Sequence, residues 1–275
     1  MILITGASGF VGSQVLRHMR NNIDSKFIRV VLRESSEETS LYKNCDIFRT
    51  SDLFHESQER LSIMLQDVEL VIHCAWYAEP GLYLDSEKNL DCLEGTISLA
   101  RASISQGVKR FVGIGTCYEY NISNEKLSIG TRLNPTSLYG ACKASAFIIM
   151  QEMFRLHALE FVWCRLFYLY GEGEDKRRLV PYIKSMLEQS NDVELTSGNQ
   201  IRDYLDVVDA AKMIFDISNS AYTGAYNVCS EKPVSVREIA EKIADEYDRR
   251  DLLKFGSRTD NPLEPKFVVG VKTSI

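Results

Sequence analysis

The sequence predicts an α/β chain: a doubly wound parallel sheet followed by a smaller, mainly helical C-terminal lobe. Three observations carry this. Short apolar runs suited to buried strands alternate with segments of helical periodicity up to about residue 170. The first of these runs ends in a glycine-rich turn that opens a helix. After Gly171 the alternation stops, and short helical pieces are separated by loops.

Taken in order, Met1-Ile2-Leu3-Ile4-Thr5 reads as a buried strand. Gly6-Ala7-Ser8-Gly9-Phe10-Val11-Gly12 reads as the turn into an amphipathic helix bearing Val15, Leu16 and Met19. Glycines at such a turn let the backbone approach a pyrophosphate, and the helix N-terminus offers it free N–H groups and partial positive charge. The spacing is G-x-x-G-x-x-G, in the strand–turn–helix context that dinucleotide binding requires; an ordinary tight turn is the alternative. Further strands are predicted at Phe27–Leu32, Glu69–Cys74, Arg110–Gly115 and Phe161–Phe167. Helices are predicted at Leu61–Leu65, Leu90–Ser105 and Tyr139–His157, giving right-handed βαβ units. Beyond them Val180–Glu188, Val208–Ile217 and Val236–Tyr247 read as helices and Asn191–Arg202 as a loop. The expected division is a dinucleotide-binding domain over 1–170, to which parts of 200–230 return, and a substrate lobe over 171–275. Ligands of open α/β sheets lie at the carboxyl ends of the strands, so the lobe is expected to cap that edge.

Composition narrows the partners. The chain has 275 residues, 45% hydrophobic and 25% charged, as in ordinary globular proteins. A net charge of -6 without a basic block argues against nucleic acid and against a membrane surface. No apolar run approaches the ~18–20 residues of a spanning helix, and nothing ahead of the first strand reads as a signal peptide. The seven cysteines form no C-x-x-C pair, and Cys74 and Cys164 sit in apolar runs. A reducing cytoplasm without disulfides or zinc is the expectation, and the four scattered histidines suggest no other metal.

A second chemical signature is Tyr139-Gly140-Ala141-Cys142-Lys143, preceded by Thr116 at a strand end. Tyrosine and lysine at this spacing lie one helical turn apart on one face. An ammonium ~4 Å from a phenol oxygen gains roughly 4 kcal/mol at an effective dielectric of ~20. That would lower a phenol pKa from ~10 by about three units. Such a phenol can exchange a proton with a sugar hydroxyl while hydride passes to or from a nicotinamide, and Thr116 can hold the same oxygen. A surface helix with a snorkelling lysine is the plain alternative.

Further blocks follow in order: Val71-Ile72-His73-Cys74-Ala75, Gly115-Thr116-Cys117-Tyr118-Glu119-Tyr120, Arg165-Leu166-Phe167, Tyr170-Gly171, Ile201-Arg202-Asp203-Tyr204-Leu205-Asp206-Val207-Val208-Asp209 and Tyr226-Asn227-Val228. With the two signatures they make the chain resemble, almost end to end, the extended short-chain dehydrogenase/reductase family. These are NAD(P)-dependent epimerases, dehydratases and reductases of nucleotide sugars. The resemblance implies a Rossmann domain, a C-terminal substrate lobe and a catalytic set of Thr116, Tyr139 and Lys143. It implies cofactor contacts along the turn at Gly6, Ser8, Gly9, Phe10, Val11 and Gly12, and at Arg33, Asp52 and Leu53. Cys74, Ala75, Trp76 and Phe167 complete that set with Tyr139 and Lys143. For the substrate it implies Trp76, Tyr77, Thr116, Cys117, Tyr118, Tyr168 and Val180, with Arg202 facing the nucleotide diphosphate as a charge-assisted fork. It also implies a homodimer built on the helices Leu90–Ser105 and Tyr139–His157, for which the face Phe147, Met150, Met153, Phe154 and His157 is apolar enough; burial of that face in the core is the alternative.

The departures from the family pattern narrow the reaction. Dehydrating members carry an acidic pair after the catalytic threonine, where this chain has Cys117 and Tyr118. Without a general acid and base there, dehydration is not expected; Cys117 itself is expected to turn away from the site. Arg33, with Ser35 and Ser36, stands where NAD-preferring relatives place an aspartate, and suits the 2′-phosphate of NADP. Stacking of Arg33 on the adenine of NAD is the alternative. Asn261 replaces an arginine of the pattern, and Trp76-Tyr77-Ala78-Glu79-Pro80-Gly81 forms an aromatic loop expected to line the sugar pocket or to pack beneath it. The expected activity is NADP(H)-dependent reduction of the 4-keto group of a nucleotide-diphosphate (deoxy)sugar, a deoxyhexose or a related heptose. An NAD-dependent 4-epimerase is the alternative, and a non-catalytic dinucleotide-binding protein is the reading from another class.

Overall fold

The computed structural model describes residues 1–123 and 125–274. The chain opens with β1 (Ile2–Thr5), α1 (Phe10–Asn22), β2 (Ile28–Arg33), β3 (Asp46–Thr50), α2 (Gln58–Met64), β4 (Leu70–His73) and α3 (Lys88–Ser105). It continues through β5 (Arg110–Thr116), α4 (Leu138–Leu156), β6 (Glu160–Leu166), β7 (Tyr168–Tyr170), α5 (Leu179–Glu188), β8 (Val193–Leu195) and β9 (Ile201–Asp206). The last elements are α6 (Val207–Ser218), β10 (Gly224–Val228), β11 (Pro233–Ser235), α7 (Val236–Asp245), β12 (Leu253–Phe255) and β13 (Phe267–Val268).

Seven strands form one parallel sheet in the order β10-β6-β5-β4-β1-β2-β3. From β1 the chain winds outward to β3, crosses back to β4 and winds outward the other way. The direction therefore reverses between β1 and β4, and the Gly6–Gly12 turn leaves the carboxyl end of β1 at that switch point. Helices bury both faces, which is why β4 and β5 are buried along their whole length. On one face α1 and α6 set Leu16, Met19, Ala210 and Ile214 against Ile4, Val30 and Val112. On the other, α2, α3 and α4 set Met64, Leu99, Met150 and Phe154 against Val71, Phe111 and Trp163. Burial of such a side chain contributes roughly 1.5–3 kcal/mol.

The C-terminal part packs α5 and α7 on the parallel pair β8–β12 through Val180, Ile183, Leu187 and Ile243. A smaller sheet, β11-β9-β13 with β7 paired to β9, joins this part to the end of β6. The segment Asn191–Arg202, expected to be a loop, contains β8 and the start of β9. Strands of three residues acquire their register only from distant partners, as Val193 does from Leu253, and local periodicity carries no trace of them.

The α4 face expected to meet a second copy lies largely in the core: Met150 and Phe154 are fully buried and Phe147 nearly so. The exposed apolar residues of α3 and α4 are Leu90, Ile148, Ile149 and Leu156. Among the described residues no helix is long and apolar enough to cross a membrane, and no group of three or more metal-ligating side chains occurs.

Candidate active site

The turn after β1 is shaped by contact. A Cβ at Gly6, whose φ is +68°, would stand 2.6 Å from the Ala75 amide nitrogen, and one at Gly12 would stand 2.2 Å from the Gly6 carbonyl oxygen. Glycine is thus required for β1, α1 and the end of β4 to converge. The side chains of Ser137, Asp206 and Ser235 cap α4, α6 and α7, whereas Gly9 gives α1 no side-chain cap. Bare backbone and uncapped N–H groups at a positive helix end fit the pyrophosphate of a dinucleotide. Next to the turn lies a cavity of about 510 Å³ lined by Ser8, Arg33, Asp52, Leu53, Ala75 and Tyr77, among others. Asp52 accepts from the Phe54 N–H at 3.0 Å, which fixes the turn after β3, and Arg33 is exposed at the end of β2. No carboxylate stands at the Arg33 position itself.

A second cavity, of about 680 Å³, shares Gly6, Gly9, Cys74 and Trp76 with the first and holds Phe10, Val11, Gly12, Thr116, Tyr139, Lys143 and Phe167. Ser137 caps α4 so that Tyr139 and Lys143 stand in its first turns, facing the end of β5, where Thr116 lies. The Thr116 hydroxyl sits beside the Tyr139 phenol. The Lys143 ammonium donates to the Ile114 carbonyl at 2.6 Å and lies 3.7 Å from the centroid of the Trp76 ring.

This geometry corrects the expected electrostatics. Burial dominates both groups: it raises the Tyr139 phenol above its ordinary value and pulls Lys143 down to about 7. The lysine is turned to a carbonyl and an indole face rather than to the phenol, so the free site keeps its phenol protonated. A protonated phenol beside Thr116 is placed to give a proton to an oxygen held between them.

Thr116 is anchored from below by a carboxylate. Glu119, fully buried, accepts the Thr116 N–H at 2.8 Å and the Trp163 indole N–H at 2.9 Å through one oxygen. Its other oxygen accepts from Arg165 at 2.7 Å. This pairing fixes the short helical turn Cys117–Glu119 in a capping box and takes Glu119 out of the cavity wall.

The remaining expected residues divide. Cys117 lines the cavity instead of turning away, and burial pushes its thiol up to about 12. Tyr118 and Tyr168 line it as well, their hydroxyls 3.1 Å apart. Tyr77 does not join them: it faces the first cavity, and its hydroxyl donates to Glu79. Val180 is core of the C-terminal part, because the apolar side of α5 turns toward α7 and β8. Arg202 is also absent from the cavity wall. It is buried, paired with Glu264 at 2.6 Å and stacked 5.2 Å from the centroid of Tyr168, so its charge is already compensated.

Other residues reach the cavity that sequence reasoning did not single out. Tyr83 meets the Tyr139 ring edge-on with centroids 4.9 Å apart. Arg177 lines the wall but is held by Asp175 at 2.9 Å and by Glu79 at 3.4 Å. Arg178 lines it too, and its guanidinium makes no hydrogen bond or ion pair among the described residues. The signal for these arginines was the cluster Lys176-Arg177-Arg178 ahead of an apolar helix; for Glu119 it was the T-x-x-E spacing from Thr116.

Comparison with known proteins agrees with this geometry. Residues 2–229 match the model of the NAD dependent epimerase/dehydratase family. The chain is 26% identical to a dTDP-6-deoxy-L-talose 4-dehydrogenase (NAD(+)) of Aggregatibacter actinomycetemcomitans, over 90% of each chain. It is 24% identical, over 88% of its length, to a trifunctional UDP-glucose 4,6-dehydratase/UDP-4-keto-6-deoxy-D-glucose 3,5-epimerase/UDP-4-keto-L-rhamnose-reductase of Arabidopsis thaliana, of which it spans 38%. The fold is shared with a Thermus thermophilus UDP-glucose 4-epimerase solved with NAD, at a TM-score of 0.84 and 20% identity, covering 98% of this chain and 90% of that one.

Proposed function

Since the chain belongs to the NAD dependent epimerase/dehydratase family of nucleotide-sugar enzymes, we propose that it moves hydride at C4 of a nucleotide-diphosphate 6-deoxysugar, reducing the 4-keto form. The observation that carries this reading is the wall around Tyr139. Cys117 and Tyr118 flank Thr116 there, Glu119 is sequestered, and the carboxylates that do line the cavity, Glu79 and Asp175, are both held by Arg177. Among the described residues of this wall a proton donor is present and a free carboxylate for elimination is not, which favours hydride addition over loss of water.

The nicotinamide cofactor supplies or accepts the hydride when bound; Gly6, Gly9, Gly12, Arg33 and Asp52 would hold it. Tyr139 gives its phenolic proton to the C4 oxygen, Thr116 orients that oxygen and Lys143 restores charge near the phenol. Arg178, with an uncommitted guanidinium, is the cation offered to the sugar's diphosphate in place of Arg202. Tyr118, Tyr168 and Tyr83 give an aromatic wall suited to a methyl rather than a hydroxymethyl group at C6. Arg33 favours NADP(H), with NAD(H) as the other choice.

A 4-epimerase is the second reading. Its support is the Glu79–Arg177–Asp175 bridge, which ties two cavity-lining loops and would help retain a keto intermediate. Native mass spectrometry and a reduced-cofactor assay on the purified chain separate the two. Loss of NADPH or NADH absorbance with the 4-keto form of dTDP-6-deoxy-L-talose supports the reductase. Tightly retained NAD, with interconversion of two 4-epimers and no net cofactor use, supports the epimerase.

A further inference from the structure

Asn89, in the first turn of α3, has no exposed surface, and its amide is committed in three directions. Its Oδ1 accepts from the Trp76 indole N–H at 2.9 Å, and its Nδ2 donates to the carbonyls of Tyr83 at 2.7 Å and Ser86 at 2.8 Å. The segment it ties, between the end of β4 and α3, has a single short helical turn (Tyr83–Asp85) as its regular structure. Two of the residues it ties face the proton-transfer groups. The Trp76 ring lies under the Lys143 ammonium, and the Tyr83 ring packs edge-on against Tyr139. A buried amide whose donors and acceptor are all used rigidifies its surroundings, and losing it strands several partners at once.

We propose that Asn89 is a positioning residue for the reaction: it staples the aromatic loop so that Trp76 receives the Lys143 ammonium and Tyr83 closes over the Tyr139 phenol. Among the described residues the Lys143 ammonium donates to the Ile114 carbonyl and lies 3.7 Å from the Trp76 ring centroid, nearer than the 5.7 Å to that of Trp163. An indole held at this distance supports a cation electrostatically, whereas a ring free to swing does not. Burial raises the Tyr139 phenol most, and the neighbouring Tyr83 hydroxyl raises it further. The charged and titratable groups that face Lys143 are Glu119 from the turn after β5, Cys92 from α3, and His73 and Cys74 from the end of β4. Asn89 adds no charge to that set; it acts through the two aromatic residues alone.

The kinetic arm of the test rests on the function proposed above, and the spectroscopic arm does not. The chain has two tryptophans, so the emission of Trp76 is isolated by subtracting that of Trp76→Phe, which retains Trp163. In the full chain without substrate, Trp76 emission is expected to follow the titration of Lys143 near pH 7, and Lys143→Met to abolish that change. Asn89→Ala is expected to reduce its amplitude at least about twofold, because the indole leaves the ammonium. With NAD⁺ and dTDP-6-deoxy-L-talose as probe reaction, Asn89→Ala should lower kcat about tenfold or more while KM changes less than about threefold. Trp76→Phe, which keeps an aromatic face but cuts the indole N–H bond, should lower kcat as well. The two substitutions together should cost less than the product of their separate effects. Wild-type amplitude of the Trp76 titration in Asn89→Ala overturns the proposal, as does full additivity in the double variant. Should Asn89→Ala fail to fold, Trp76→Phe decides: kcat within about twofold of wild type contradicts the staple. Should the wild type not turn over the probe sugar, the function proposed above loses support, while the titration still decides the role of Asn89.

Discussion

In the proposed reaction Tyr139 is the proton donor. Tyr139→Phe removes the proton donor at the C4 oxygen and leaves the glycine turn untouched. Turnover should fall by ~10²–10⁴ with cofactor affinity preserved, measured by steady-state kinetics and by cofactor titration. Lys143 gives a pH signature. Its buried ammonium is held down to about 7, so kcat/KM of the free enzyme should decline as pH rises through that value. The stability effect has the opposite slope. An unfolded lysine keeps its proton to about 10.4, so between about 7 and that value the unfolded chain binds more protons than the folded one. This group therefore makes folding more favourable as pH rises across the window and less favourable as pH falls back toward 7. Thermal melts of Lys143→Met should lack that contribution. Arg33→Ala tests cofactor choice: NADPH binding should weaken by ~1.5–3 kcal/mol, read by titration, while NADH binding barely changes.

The candidate residues that the structure gathers along the cavities are mostly those with neighbours close in the chain. Tyr139 and Lys143 share a helix, and Gly6 to Gly12 share one turn, so spacing brings each set together, whereas the direction of the Lys143 ammonium is set by the Ile114 carbonyl and the Trp76 ring. Arg202 was illegible for the opposite reason: its partner Glu264 comes through contacts 62 residues away. Tyr83, Arg178 and Asn89 were missed because their orientation depends on how irregular loops fold back.

At the scale of elements, the βαβ frame was legible because buried parallel strands are continuously apolar and helices carry their own period. α3, α4, α5, α6 and α7 fall within a few residues of the expected bounds. The strands β8, β9 and β11 to β13 were not, since two to six residues paired to distant partners leave no pattern of their own. The tightest junction is where α1 starts. Gly12→Ala would push a methyl into the Gly6 carbonyl, 2.2 Å from the built Cβ, and separate the helix from the strand it packs on. Cofactor affinity should fall sharply, by about tenfold or more in calorimetry, while far-ultraviolet circular dichroism of the sheet and helices stays near wild type.

At the scale of the molecule, the reversal of strand order between β1 and β4 brings the turn, the end of β5 and the start of α4 to one edge, and β7 and the loop that follows it to Arg178 close over it. What the wall of that cavity lacks decides between reduction and elimination. Deuterium NMR in deuterated water tests this most directly, with two substrates run side by side. Given an unmodified nucleotide hexose, such as dTDP-glucose, the enzyme should form no 4-keto-6-deoxy product. Given a 4-keto-6-deoxy nucleotide sugar and reduced cofactor, it should deliver the cofactor's hydride to C4 and introduce no solvent deuterium at C5. Deuterium at C5 together with loss of the C6 hydroxyl would contradict the absence of a working carboxylate at this site.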